Sequence, residues 1–345
     1  ETLNASFTGS GGAAVTALDL QDGSGFKSIN IDRVSEAVDS AEVGNINDNA
    51  ATNLTLTDTN ANERGVVEFS YAANVLKGDS SGSIAVDNVQ LGVLNIGQNT
   101  SGIAARGVGT NGFENFTLTS SGVDNSIGTL NLPMDTGTTG KVTLLGDKSL
   151  TLSAPAQING AAGLEATIQG GGIAMANGRL ETVDASGMAG SLTLNIGAGF
   201  LSTGKANTSG VTQNVSITGT KGDDTFYLSD TVEAGDVISG GEGADTLVAF
   251  QGGVAGKVNS VENVSVQLQN ANVTLNMNQF ADTTSLTVRN ISHVAQVAVD
   301  PGTDQVATFN NLTDVQAANI SVQHSTTGNG GIVDTTIAAN LKTTS

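Results

Sequence analysis

Glycine and aspartate recur at fixed offsets in one short part of this chain. Gly240-Gly241-Glu242-Gly243-Ala244-Asp245-Thr246-Leu247-Val248 fits the pattern G-G-x-G-x-D-x-U-x, where U is a large apolar residue. Gly219-Thr220-Lys221-Gly222-Asp223-Asp224-Thr225-Phe226-Tyr227 fits it with threonine in place of the second glycine. Between them, Asp236-Val237-Ile238 keeps the D-x-U ending. The chemistry this spacing serves is capture of a hard cation. Calcium takes about six to eight oxygens at roughly 2.3–2.6 Å. Glycines let the backbone turn its carbonyl oxygens inward. The aspartate adds charge and a further oxygen, and the apolar residue two positions later anchors a short strand in a core. One nonapeptide supplies about half of such a site, so two loops must stack on the same side.

The elements that must hold these loops are short strands. A period-2 phrase recurs as Leu54-Thr55-Leu56, Leu94-Asn95-Ile96, Leu130-Asn131-Leu132, Leu150-Thr151-Leu152, Leu192-Thr193-Leu194, Val273-Thr274-Leu275 and Leu286-Thr287-Val288. Alternation puts aliphatics on one face and Thr or Asn on the other. A second phrase reads Phe26-Lys27-Ser28-Ile29, Phe113-Glu114-Asn115-Phe116, Leu180-Glu181-Thr182-Val183 and Val261-Glu262-Asn263-Val264, about every 67 to 87 residues. This self-similarity favours stacked rungs over a compact enzyme domain. The expected fold is all-β: an irregular parallel β-solenoid or β-roll of stacked short strands with few short helices. Helical turns are expected only over 34–43 and 312–320. Soft boundaries divide the chain into a β-rich ladder (1–212), a roll segment (213–250) and a second ladder (251–345).

Composition narrows the function. The 345 residues carry 33 acidic and 13 basic side chains, a formal charge of -20. That balance repels phosphate and anionic membranes, so nucleic acid is not an expected partner. Cysteine and tryptophan are absent, which removes any disulfide framework. No run of about 18 apolar residues is present, so no transmembrane helix is expected. The chain opens on Glu1 and reads as an excised fragment.

The stretch "SITGTKGDDTFYL … GDVISGGEGADTLVAF … VNSVENVSVQL" resembles the module of calcium-dependent surface-layer (S-layer) proteins of Gram-negative bacteria and related large repeats-in-toxin proteins. The resemblance covers roughly residues 215–268, and its nonapeptide is the calcium-binding repeat of the parallel β-roll. It implies Ca²⁺ as the bound ion, held by Gly219, Lys221, Gly222, Asp224, Asp236, Gly240, Gly241, Gly243 and Asp245. Same-side loops of a regular roll lie about 18 residues apart. Here Asp224 and Asp245 are 21 apart. The extra residues fall in the Ser229–Gly235 segment, which is expected to bulge so that the loops still stack and the two aspartates share one ion. The resemblance further implies type I secretion, an extracellular location on the cell surface, self-assembly of identical protomers into a two-dimensional lattice, and lipopolysaccharide contact through a region outside these residues. The alternative is an adhesin or glycan-binding module, for which an aromatic share of 3% is poor material.

Other constellations are weaker. Asp58-Thr59-Asn60-Ala61-Asn62 opens like an EF-hand loop, but Glu63 stands where the glycine belongs and Phe69 where the glutamate belongs. Asn47-Asp48-Asn49 and the Asp300–Asp304 stretch read as turns. Gly78–Gly82 faintly resembles a serine-nucleophile phrase without its partners. His293 and His324 stand apart from any acid at a catalytic spacing. A β-helix lyase needs paired carboxylates beside a basic residue, and the few basic residues do not cluster that way. No catalytic set is expected.

Overall fold

The computed structural model describes residues 1–8, 16–35, 40–60, 65–73, 75–98, 111–135, 138–155, 169–174, 179–196, 214–228, 232–249, 254–268, 272–290, 305–324 and 335–342. The chain is an all-β parallel solenoid. Each rung lays one strand on each of two faces, and each strand pairs in parallel with its counterpart one rung on.

The first face begins with Thr2–Phe7, Ser28–Val34 and Asn53–Asn60. It continues through the first half of Ser81–Gln98, Asn115–Ser121, Thr139–Gly146 and Arg179–Met188. Ser216–Thr218, Val237–Ser239 and Lys257–Asn259 complete it. The second face starts with Thr16–Asp19, Ser40–Ile46, Val66–Tyr71 and the second half of Ser81–Gln98. Asn125–Asn131, Leu150–Leu152, Leu192–Ile196, Thr225–Leu228, Thr246–Ala249, Asn263–Leu268, Ser285–Asn290 and Ile320–His324 extend it. A small third sheet near the C-terminal side pairs Val273–Asn276, Gln305–Leu312 and Thr335–Leu341. Pairing runs unbroken across residues 212 and 250, so the roll segment is built into the same ladder as its neighbours.

The period-2 phrases form these strands because alternation matches the pleat. In Leu150–Leu152 both leucines are buried and Thr151 is half-buried. Thr225–Leu228 buries Phe226 and Leu228 in the same way. The inward side chains make one core from Phe7 to Leu312. Its largest members include Tyr71 and Phe113, which meet edge to face with ring centroids 5.5 Å apart. Stacked asparagines add ladders between rungs, as where Asn131 Nδ2 donates to Asn95 Oδ1 at 2.7 Å.

The second phrase starts a strand each time. Ile29, Phe116 and Val183 enter the first face, and Val264 enters the second. The expected helix over 34–43 does not form. Its described part belongs to the strands Ser28–Val34 and Ser40–Ile46, with 36–39 outside the described residues. Ala41 and Val43 pair with Val67 and Phe69, and Glu42 is buried while accepting from Ser70 Oγ at 2.7 Å. Burial on both sides of the strand outweighs a weak helical pattern. The 312–320 expectation is met by a short helix, Asp314–Ala318, closed by a Thr313–Gln316 capping box.

Rung length varies with the turns. Residues bonded across adjacent rungs lie 26 apart at Thr2–Ser28, 36 at Asn95–Asn131, 21 at Asp224–Asp245 and 17 at Asp245–Glu262. The glycine-aspartate stretch therefore includes the tightest of these rungs.

Candidate metal centre

Three turns stack at the entrance to the second face: Gly219–Asp224, Gly240–Asp245 and Ser260–Glu262. Their strands fix the register. Phe226 pairs with Leu247, and Leu247 with Val264. The two motif loops stack as their sequence implies. Of the segment expected to bulge, residues 229–231 lie outside the described residues, and Glu233–Asp236 forms a tight turn in which Gly235 has φ +113°.

Backbone bonds zip the turns together. Gly219 N donates to Ser239 O at 2.8 Å, Gly240 N to Asn259 O at 3.0 Å, and Glu242 N to Thr220 O at 3.0 Å. Lys221 N donates to Met188 O at 3.2 Å, while its residue faces solvent. The carbonyls of Thr220 and Gly222 press on Gly241 and Gly243 of the loop below. Gly241 has φ +110°, a region that side-chain-bearing residues rarely enter.

Gly240 is required for a different reason. A Cβ there would stand 1.8 Å from the Ser260 carbonyl oxygen and 2.1 Å from Asp245 Oδ2. Both oxygens therefore pack directly against the glycine and leave no room for a side chain. Gly219 is packed in the same way one rung above, against Gly240 O and Asp224 Oδ2.

The two aspartates differ in their partners. Asp224 is 1% exposed, and three donors reach it: Leu192 N at 2.7 Å, Thr220 N at 2.5 Å and Thr220 Oγ1 at 2.7 Å. Asp245 is 0% exposed, and its Oδ1 accepts from Asp224 N at 2.7 Å. Its Oδ2 is buried with no hydrogen-bond partner. A bare buried carboxylate oxygen is costly. Burial pushes the Asp245 carboxyl up to about 7, with Asp224, Glu262 and Asp223 adding repulsion. Asp224 is also raised, by burial, against the pull of its hydrogen bonds.

Asp236 stands at the opposite turn, before the first-face strand Val237–Ser239, and so is not brought to Asp224 and Asp245. Its carboxylate accepts from Val215 N at 2.8 Å and Glu233 N at 2.9 Å.

A residue not singled out from the sequence completes the series. Glu262 Oε2 accepts from Asp245 N at 2.8 Å, as Asp245 accepts from Asp224 N and Asp224 from Leu192 N. Glu114 does the same for Ser80 N at 2.8 Å. Each acid caps a backbone N–H of the rung before it. The signal was readable, because Glu262-Asn263-Val264 and Glu114-Asn115-Phe116 keep the spacing of Asp245-Thr246-Leu247 with glutamate for aspartate.

Among the described residues no three His, Asp or Glu side chains converge to hold a metal. A calcium shell here would draw mostly on carbonyls. The donor set fits that ion: hard oxygens only, with an orphaned buried carboxylate oxygen among them.

The weaker constellations have local roles. Asp58 Oδ1 accepts from Asn88 Nδ2 at 2.8 Å, while 61–64 lie outside the described residues. Asp48 caps a turn through Ala50 N at 2.9 Å. Ser80 N is held by Glu114, and Gly78 N by Asp135 Oδ2 at 2.9 Å. His324 ends the strand Ile320–His324, and His293 and 300–304 lie outside the described residues. Among the described residues no helix is long and apolar enough to cross a membrane. No family model, curated protein or solved structure matches the chain.

Proposed function

We propose that this chain is a structural cell-surface protein whose solenoid is clipped by calcium and assembles with its own copies into an S-layer lattice. The observation that carries the calcium reading is the unpartnered Asp245 Oδ2, buried between stacked Gly/Asp loops. Asp245 and the nearby turn carbonyls would hold the ion. Calcium, when bound, supplies neutralisation of carboxylates that otherwise repel one another across rungs. The loops then fix the register of Thr225–Leu228 on Thr246–Ala249, and the strands carry load along the ladder.

The lattice reading rests on the resemblance of residues 215–268 to S-layer modules, the net charge of -20 and the repetitive strand stack. It entails a non-enzymatic, extracellular role, with type I secretion and lipopolysaccharide anchoring supplied outside these residues.

Calcium titration by calorimetry, with particle size followed by light scattering in the same samples, tests both parts. Saturable binding with growth into large ordered assemblies is expected. Binding without growth would defeat the lattice reading, and absence of binding at millimolar calcium would defeat both.

A further inference from the structure

The sequence pairs the two motif loops around one shared ion, yet their interiors are not equivalent. In the upper loop Thr220 replaces the second glycine of the motif. Its hydroxyl donates to Asp224 Oδ1 at 2.7 Å and accepts from Gly222 N at 3.0 Å. Thr220 N reaches the other carboxylate oxygen at 2.5 Å. Thr220 is 2% exposed, so these donors are not traded against water. Asp224 therefore has donors on both oxygens without any ion.

In the lower loop Gly241 occupies the equivalent position and brings no hydroxyl. Asp245 Oδ2 is left bare, packed against Gly240, which the Ser260 carbonyl oxygen also approaches. Two acceptors thus lie against one glycine, and the carboxylate oxygen has no donor. The Glu262 carboxylate is held at this turn by its bond from Asp245 N. The charged groups acting on Asp245 are Asp224, Glu262 and Asp223, all acidic. A site of this charge, built of hard oxygens, selects a divalent cation over an anion or a neutral ligand.

Resting on the calcium reading above, we propose that the ion sits one rung below the motif pair, between the 240–245 loop and the Ser260–Glu262 turn, and that the donors already on both Asp224 oxygens leave the upper seat without an ion. Asp245 Oδ2 and Ser260 O are its ligands from the chain, and Glu262 supplies the second negative charge. The turn that completes the site carries no G-G-x-G-x-D motif, so the sequence pattern alone points to the wrong rung pair.

The test is calorimetric titration of the 345-residue chain with calcium chloride, with circular dichroism confirming the fold of each variant. The native chain is expected to bind one ion at this roll. Glu262→Gln keeps an acceptor for Asp245 N but removes a charge, and should weaken binding by roughly 10-fold. Thr220→Gly leaves the Leu192 N–H and the residue-220 N–H on Asp224, so the count should stay at one ion. Abolition of binding by Asp245→Asn with no effect of Glu262→Gln would overturn the lower seat while leaving the calcium reading intact. A Thr220→Gly chain that takes up a second ion would overturn the closure of the upper seat by backbone donors. Failure of the native chain to bind calcium at all would end both readings.

Discussion

Asp245 is the residue on which the site turns, and its protonation gives a signed prediction. Its folded value of about 7 lies above the ordinary aspartate value of about 3.9. Without calcium the native chain therefore holds a proton that the unfolded chain releases. The stabilisation from this group is fully present below about pH 4 and declines as pH rises, until it is lost above about pH 7. Calcium competes with that proton, so the sign reverses for binding. Affinity should fall as pH drops from about 8 to about 6, with proton release on binding at the lower value. Titrations in buffers of different ionisation enthalpy would show this, and a pH-independent affinity would exclude Asp245 as a ligand. The aspartates and glycines of the motif were legible because spacing alone marks them. Thr220 was not, since its role depends on which atoms face each other across rungs, whereas Glu262 stands at a readable spacing before its strand. A threonine in a glycine position reads as a blemish until its hydroxyl is seen bonded to Asp224.

Among elements, the short strands were the clearest signal. Leucines and valines alternating with Thr and Asn became strands because each apolar side chain meets its counterpart one rung away. The 34–43 segment misled because strands buried on both sides lose the alternation that marks a half-exposed one. The short helix at Asp314 was readable from its cap, since Thr313 precedes Gln316 by three residues. Packing within a rung also sets a scale for stability. Leu247 is 0% exposed and pairs with Phe226 on one side and Val264 on the other. Leu247→Ala should cost ~2–5 kcal/mol, read from denaturant unfolding. A cost near zero would mean that this rung does not unfold with the rest of the ladder.

Across the whole molecule, each rung touches chiefly its neighbours, so stability is approximately a sum of rung and interface contributions. Loss of calcium should act locally. Chelation is expected to speed amide exchange around 215–268, while the rungs around Phe69 and Phe116, whose core is apolar and aromatic, keep their protection. Hydrogen exchange followed by mass spectrometry resolves the two regions, and uniform loosening would contradict a local clip. The architecture as one ladder was only partly legible, because insertions of different length between strands hide the repeat. Cross-rung spacings from 17 residues at Asp245–Glu262 to 42 at Leu150–Leu192 leave no fixed period to find.

The backbone caps also give the stack a direction. Asp48, Glu114, Asp224, Asp236, Asp245, Glu262 and Asp282 each accept an N–H from the rung nearer the N-terminus, while Asp124 and Asp223 face the other way. A rung laid down ahead of its C-terminal neighbour therefore has bare donors, whereas one added onto that neighbour finds its acceptors waiting. The two ends of a growing stack are unequal, like the two ends of a polar filament. Growth toward the N-terminus is templated at the rungs that carry these caps, and a chain presented C-terminus first would meet those acceptors in the order they are needed.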